Sequence, residues 1–436
     1  MKRRTVAALA ALALFGRRVD ALEGPPPKVV DAGTFARAIP EGASVAETSE
    51  DLARMLADSN GPRDIWLRDR TYRGDFVIAR TLALHGTGGT TLEGTGMGTV
   101  VTIDAADSTL DDVRVRRSGR RFTVEDSGIK AKAPRVRISH VDVADCLFGI
   151  ELAPCPGCVL ENSRINGPDE NDRELRGDGV KLWESHDATV RSCAIEHGRD
   201  VVVWYSRRAI LDGNVVRHGR YGAHFMYSHD AVVKNSRLED NVVGIFVMYS
   251  ARLRVEHDVL AGARGPAGMG IGFKESDGVS VTDTWIVANT TGAYLDRTPR
   301  DTSQAVTFDH DVFALNDVAL RFLSSEEGLT FTHDDFHQNV EVAEVEGGGD
   351  ALGTKFEHDH WTDYEGYDLD HDGTGDVRFE VKKLSSELTD AHPSLRFFQG
   401  TGALALFDAV ARAVPVLSSK TLLVDEHPSM TAERPR

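Results

Sequence analysis

Two near copies of one stretch carry the softest donors in this chain. RYGAHFMYSHD runs from Arg220 to Asp230, and VVGIFVMYSAR follows from Val242 to Arg252. Both contain Met-Tyr-Ser, so Met226 and Met248 stand 22 residues apart, and the first copy adds His224 two places before its methionine. Thioether sulfur with imidazole nitrogen suits Cu(I) better than Zn(II), Ca(II) or Mg(II), because a soft cation prefers polarisable ligands.

Other donors fall into patterns of their own. In WTDYEGYDLDHDGTGD, Trp361 to Asp376, the carboxylates of Asp368, Asp370 and Asp372 alternate and Gly373 follows. That resembles the opening of a calcium loop, where hard oxygens gather and glycine permits the turn. The bidentate glutamate of loop position twelve is missing, since Phe379 stands there. A structural Ca(II) and a polar capping turn are both open. The pairs His257-Asp258, His310-Asp311, His333-Asp334 and His358-Asp359 recur at coil-like spacing, and His197 and His218 lie 21 residues apart in Glu-His-Gly and Arg-His-Gly. These read either as a histidine column for loading metal or as a ladder of turns satisfied by backbone hydrogen bonds. Of the four cysteines, Cys155 and Cys158 flank Pro-Gly between strand-like runs. That context fits a structural disulfide or free thiols, with metal binding as the lesser alternative, and not a thioredoxin-like helix start. Cys146 and Cys193 remain.

These residues need a scaffold, and its period is legible. A Gly-aliphatic or Asp-aliphatic step recurs at Gly128, Gly149, Gly179, Asp200, Gly222, Gly244, Gly270 and Gly292. The intervals are 21, 30, 21, 22, 22, 26 and 22 residues; Gly167 to Gly177 and Gly262 to Gly268 are the insertions behind the long ones. Ser185, Ser206, Ser228, Ser250 and Ser276 keep step, and eight residues after each come Cys193, Asn214, Ser236, Asp258 and Thr284. Short alternating strands with small polar residues stacked at turns predict an all-β chain: a right-handed parallel β-helix, a solenoid of coils about 22 residues long. A leucine-rich repeat would need a leucine consensus that is absent.

The expected organisation is an export signal at 1–21, a lead-in with a cap helix at 22–63, the β-helix at 64–379, and a partly helical C-terminal cap and tail at 380–436. Ala46 to Asn60 supplies the cap helix, with Leu52, Met55 and Leu56 at helical spacing. Closing both ends keeps strand edges from pairing with other chains.

Alternation then sorts the side chains. Ala223, Phe225 and Tyr227 form one set, matched by Ile245, Val247 and Tyr249, and are expected to build the core. His224, Met226 and Ser228, matched by Phe246, Met248 and Ser250, face out. Lys181 and Lys274 fall on this outer set, where a lysine belongs. The outer column reads Trp183, Trp204, Met226, Met248, Lys274, on coils about 4.8 Å apart. Three readings are open: a copper site with a tryptophan face above it, an exposed apolar stripe in which Trp183 and Trp204 dock a partner protein, or inverted faces with the methionines in the core.

Bulk composition excludes some classes. The net charge of −18 argues against a nucleic-acid partner, which would need a basic face. Lys2, Arg3 and Arg4 precede an apolar run of eleven, Thr5 to Phe15, too short to span a bilayer but right for an export signal. β-Helix lyases and epimerases of acidic polysaccharides are the enzymatic rival. They need clustered carboxylates beside a base, and no coil-to-coil cluster of aspartates joined to a lysine or arginine stands out. There is no phosphate-binding glycine loop and no serine-nucleophile elbow.

RYGAHFMYS, GIFVMYS, the coil GDGVKLWES, GMGIGFKES and the tail WTDYEGYDLDHDGTGDV together resemble the NosD-type proteins, periplasmic maturation factors of nitrous oxide reductase. The resemblance runs from about Asp64 to Pro415. Phe225 departs from the family's tyrosine, and the His-Asp turns replace asparagines. The resemblance implies a non-catalytic, periplasmic Cu(I)-binding protein. It would work beside an ABC-type transporter of permease and ATPase, with a copper-donating lipoprotein as a further partner, and hand copper to the apo-reductase. His224, Met226 and Met248 are the positions that match its motifs.

Overall fold

A computed structural model describes residues 33–168, 170–383, 385, 388, 392–398, 401–413 and 420–433. The expected export signal lies outside them. The fold is an all-β, right-handed parallel β-helix. It divides into two compact units, Pro25–Gly268 and Met269–Arg436.

In the first unit three ladders of short parallel strands run side by side. One goes from Ser44–Ala46 to Arg254–Glu256, one from Thr71–Arg73 to Val259–Ala261, and one from Phe76–Ile78 to Val243–Met248. The helix Ser49–Ala57 follows the first strand and packs on Ser44–Ala46, Thr71–Arg73 and Phe76–Ile78. Its Thr48 hydroxyl accepts the Asp51 N–H at 3.1 Å, satisfying an amide the helix leaves free, and Leu52 and Leu56 are its buried face.

The second unit repeats the three-ladder plan, with Met269–Lys274, Thr291–Asp296, Val318–Phe322 and Glu341–Val345 forming one of them. Inside it Phe308, Phe331 and Phe356 stack at 4.5 and 5.0 Å between ring centres. Beyond the last coil an antiparallel pair, Phe379–Lys383 with Lys420–Asp425, and the helix Gly402–Ala413 follow.

One expectation about faces is corrected. Ala223, Phe225, Ile245 and Val247 are fully buried, but Tyr227 and Tyr249 do not join them in the core. Tyr205, Tyr227 and Tyr249 hold φ of 52°, 50° and 49°, a left-handed corner that ends strict alternation. Their rings turn outward and stack at 5.3 and 5.1 Å. The residue after the corner points inward instead, so Ser206, Ser228 and Ser250 are buried, not outward-facing. Each serine hydroxyl there takes the backbone N–H of the coil before it: Ser185 to Ser206 at 2.9 Å, Ser206 to Ser228 at 3.1 Å, and Ser228 to Ser250 at 3.0 Å. The corner thereby satisfies amides that strand pairing leaves over.

A second inward ladder uses the residues eight places on. Cys193 N–H donates to Asn214 Oδ1 at 3.1 Å, Asn214 N–H to Ser236 Oγ at 3.1 Å, and Ser236 N–H to Asp258 Oδ1 at 2.7 Å. The His-Asp pairs belong to this corner. His257, His310, His333 and His358 hold the left-handed conformation, φ 57° to 61°, while Asp258, Asp311, Asp334 and Asp359 are buried beneath them. Burial pushes the carboxyl of Asp258 well above the usual carboxylate range.

Candidate metal centre

The site lies on the outer face of the third ladder of the Pro25–Gly268 unit. Strand pairing places Trp183 beside Trp204, Trp204 beside Met226, and Met226 beside Met248. One column inward, Lys181 pairs with Val202, Val202 with His224, and His224 with Phe246. A register shift between Asp200 and Val202 gives the Tyr221–Met226 strand one extra residue. Asp200 therefore pairs with Tyr221, and His224 still meets Val202.

His224 Nε2 lies 3.3 Å from Met248 Sδ. On the other side of the ring the Trp204 indole N–H points to Nδ1 at 3.4 Å. Tyr221 leans on the imidazole at 4.7 Å between ring centres, and Trp204 meets it edge-on at 5.5 Å. Phe246 closes a further side at 6.2 Å. Burial among these rings is the main reason the imidazole is pulled down to about 4 from its ordinary value; Asp200 opposes the shift and Arg220 adds to it. The ring is therefore neutral at neutral pH, with no charge of its own to repel a cation. While Nδ1 accepts from Trp204, the single proton of a neutral ring sits on Nε2, facing the sulfur. A cation taken at Nε2 needs the other tautomer, with the ring proton on Nδ1 and the Trp204 N–H turned away from it, so a ring already neutral releases no proton on uptake.

Met226 and Met248 are both half-buried, as are Trp183 and Trp204. Beside them Tyr205 and Tyr227 stand about two-fifths exposed, and Trp183 touches Trp204 at 5.9 Å and Tyr205 at 5.1 Å. The result is a soft-donor pocket at the edge of an aromatic ridge.

Several neighbours were not foreseen from sequence. Tyr221 is one; Arg220, which lies over the Tyr221 ring at 5.0 Å and pairs with Asp200 at 2.5 Å, is another. A charged cluster up the same column, built on glutamate and lysine, is a third. Lys130 binds Glu151 at 2.6 Å and Lys181 binds Glu125 at 2.6 Å. Burial raises Glu151 and the adjoining Glu125 raises it further, whereas Lys181 and Glu151 outweigh burial at Glu125 and hold it low. The signal was in the repeat: the residues after the Gly-aliphatic steps read Lys130, Glu151, Lys181. Both lysines are about seven-eighths buried and already paired, so the cluster is a closed ion network and offers no open base to a glycan.

Cys155 and Cys158 form a disulfide. Cys146 and Cys193 are buried thiols, pushed up by burial to about 11 and about 12, which makes them inert as thiolate ligands. Oxygens of Asp368, Asp370 and Asp372 do gather within 4.8 Å of one another. Yet Asp368 accepts the N–H of His371 at 2.6 Å and of Gly373 at 2.9 Å, and Asp372 accepts that of Thr374 at 2.7 Å. These carboxylates cap their own turn. His197 and His218 stack face to face at 5.0 Å.

Residues 161–366 match the family model described as periplasmic copper-binding protein (NosD). A protein of Pseudomonas aeruginosa named probable ABC transporter binding protein NosD is 28% identical, over 84% of this chain and 88% of its own length. One of the same name from Stutzerimonas stutzeri is 32% identical over 71 residues, 16% of each chain. Among solved structures, the catalytic unit of a GH87 α-1,3-glucanase from Streptomyces thermodiastaticus superposes with a TM-score of 0.50 at 16% identity, covering 75% of this chain and 70% of that one. That likeness is one of fold alone. No described helix is long and apolar enough to cross a membrane.

Proposed function

Because this chain is a NosD-type protein, we propose that it carries Cu(I) in the periplasm for assembly of the copper centres of nitrous oxide reductase. His224 Nε2 and the sulfurs of Met248 and Met226 hold the ion. An ABC-type transporter, the apo-reductase and a copper-donating lipoprotein are its partners, and Trp183 and Trp204 belong to the surface on which one of them docks. The observation that carries this reading is the 3.3 Å approach of His224 Nε2 to Met248 Sδ, with Met226 in register on the adjoining coil.

The chemistry supports a carrier more than a catalyst. Thioether and imidazole bind Cu(I) without stabilising Cu(II) strongly, and two or three such ligands hold an ion that must later leave. The aromatic walls exclude water and competing hard cations. Half-burial keeps the sulfurs within reach of a partner's ligands, so transfer proceeds by exchange at the surface and needs no opening of the fold. The alternative of a metal-free docking platform uses the same exposed ridge, and it separates cleanly by experiment. Titration of the purified mature protein with Cu(I), in competition with a chromophoric chelator under anaerobic conditions, is expected to show one tightly held ion per chain. Complete loss of copper to the chelator at every ratio would leave the platform reading in its place.

A further inference from the structure

The Met269–Arg436 unit holds a second donor set, of different hardness. His310 and His333 occupy equivalent left-handed corners, φ 59° and 57°, on adjacent coils. Their rings stack at 4.9 Å and 23°. Asp309 reaches both, its Oδ1 lying 2.9 Å from His310 Nδ1 and 3.4 Å from His333 Nδ1. One ligand atom from each of the three residues falls within 4.8 Å of the others. All three side chains are about two-fifths exposed, so the set opens to solvent. It is also held firmly from below. Asp311 and Asp334, the next residues, are buried, and Asp311 N–H donates to Asp334 Oδ1 at 2.7 Å. Thr332 Oγ donates to Asp309 Oδ1 at 3.0 Å.

Glu433 gives His310 an outer partner. His310 Nε2 faces Glu433 Oε2 at 3.1 Å while its Nδ1 faces Asp309 Oδ1 at 2.9 Å. A neutral imidazole has one N–H and can satisfy one of these two carboxylates, not both. With Glu433 taking the Nε2–H, Nδ1 presents its lone pair toward Asp309, the outer-partner arrangement typical of metal-bound histidine.

We propose that Asp309, His310 and His333 form a binding site for a borderline divalent transition metal such as Zn(II) or Cu(II), with Glu433 orienting His310 from outside. Two imidazoles and a carboxylate suit these ions, and the absence of sulfur disfavours Cu(I). The site is independent of the Met226–Met248 pocket and stands or falls without it. His358, whose ring lies 5.6 Å from that of His333, continues the stack but lies outside the ligand set.

Equilibrium dialysis of the mature protein against Zn(II), with the metal counted per chain, tests this. The expected result is one Zn(II), weakened at least ~10-fold in His310→Ala and in His333→Ala and by roughly 10-fold or more in Glu433→Gln, with His358→Ala close to wild type. Circular dichroism confirms that each variant is folded. With Cu(II) in place of Zn(II), electron paramagnetic resonance should show coupling to two imidazole nitrogens, reduced to one in each histidine variant. No Zn(II) uptake by the wild type would overturn the proposal. So would uptake unchanged in His310→Ala and His333→Ala, which would mark the stack as a proton-satisfied surface ladder.

Discussion

Alanine at both Met226 and Met248 is expected to weaken Cu(I) binding by roughly 100-fold or more, which corresponds to about 2.7 kcal/mol or more. The two sulfurs sit on paired positions of adjoining coils, and one already touches the His224 nitrogen at 3.3 Å. Removing them leaves a single imidazole, which cannot hold a soft ion against a chelator. Both side chains are only half-buried, so the fold should tolerate the change. The single variant Met248→Ala should cost more than Met226→Ala, because Met248 is the residue in contact with the imidazole. A titration identical to wild type in the double variant would remove the outer column from the account. If copper binding were unchanged and association with the transporter or the reductase lost, the docking-platform reading would take its place.

Asp258→Asn is expected to stabilise the protein at neutral and alkaline pH by about 1–3 kcal/mol, the usual scale for relieving a poorly solvated buried polar group. Asp258 is fully buried, and its carboxyl is pushed well above the ordinary range. A group whose folded-state pKa is raised adds stability fully below its unfolded value, near 4. That contribution drains away as pH rises from there through the folded value, because the unfolded chain gives up its proton first. Asparagine keeps the oxygen that accepts the Ser236 N–H at 2.7 Å. It also adds an amide able to reach a strand carbonyl, as Asn214 Nδ2 does to Val190 O at 2.9 Å. The gap between variant and wild type should therefore be widest at pH 8 and close below pH 4 in thermal unfolding followed across pH. An equal loss of stability at every pH would contradict the protonated-carboxyl account.

The repeat was legible because each coil writes the same physical requirement into the chain. A Gly-aliphatic step opens the strand, and Ser206, Ser228 and Ser250 return on schedule because an inward hydroxyl must meet a leftover amide. Faces within a strand were legible for the same reason: Phe225 inward and Met226 outward follow from alternation alone. Alternation failed one residue later, at Tyr227 and Tyr249. A left-handed corner has no signature when tyrosine occupies it, since glycine or asparagine is the residue that advertises such a φ. The His-Asp pairs were half-readable. Their period marked them as turns, but that the aspartate goes inward and the histidine outward depends on the same hidden corner. Neighbours set by packing were beyond reach. Nothing in the chain announces that Tyr221 lies against His224, because a register shift at Asp200 brings it there. The Lys130–Glu151–Lys181 column was readable in principle, in the residues after the Gly-aliphatic steps, but it is built on glutamate and not on the aspartates a polyuronate site would cluster.

The central claim concerns which atoms hold copper. X-ray absorption at the copper edge, on protein loaded with one equivalent of Cu(I), reads those atoms directly. The account predicts sulfur scatterers from Met226 and Met248 with one imidazole nitrogen from His224, and loss of the sulfur shell in the Met226→Ala, Met248→Ala variant. A shell of nitrogen and oxygen alone, or a sulfur shell that survives the double substitution, would contradict it.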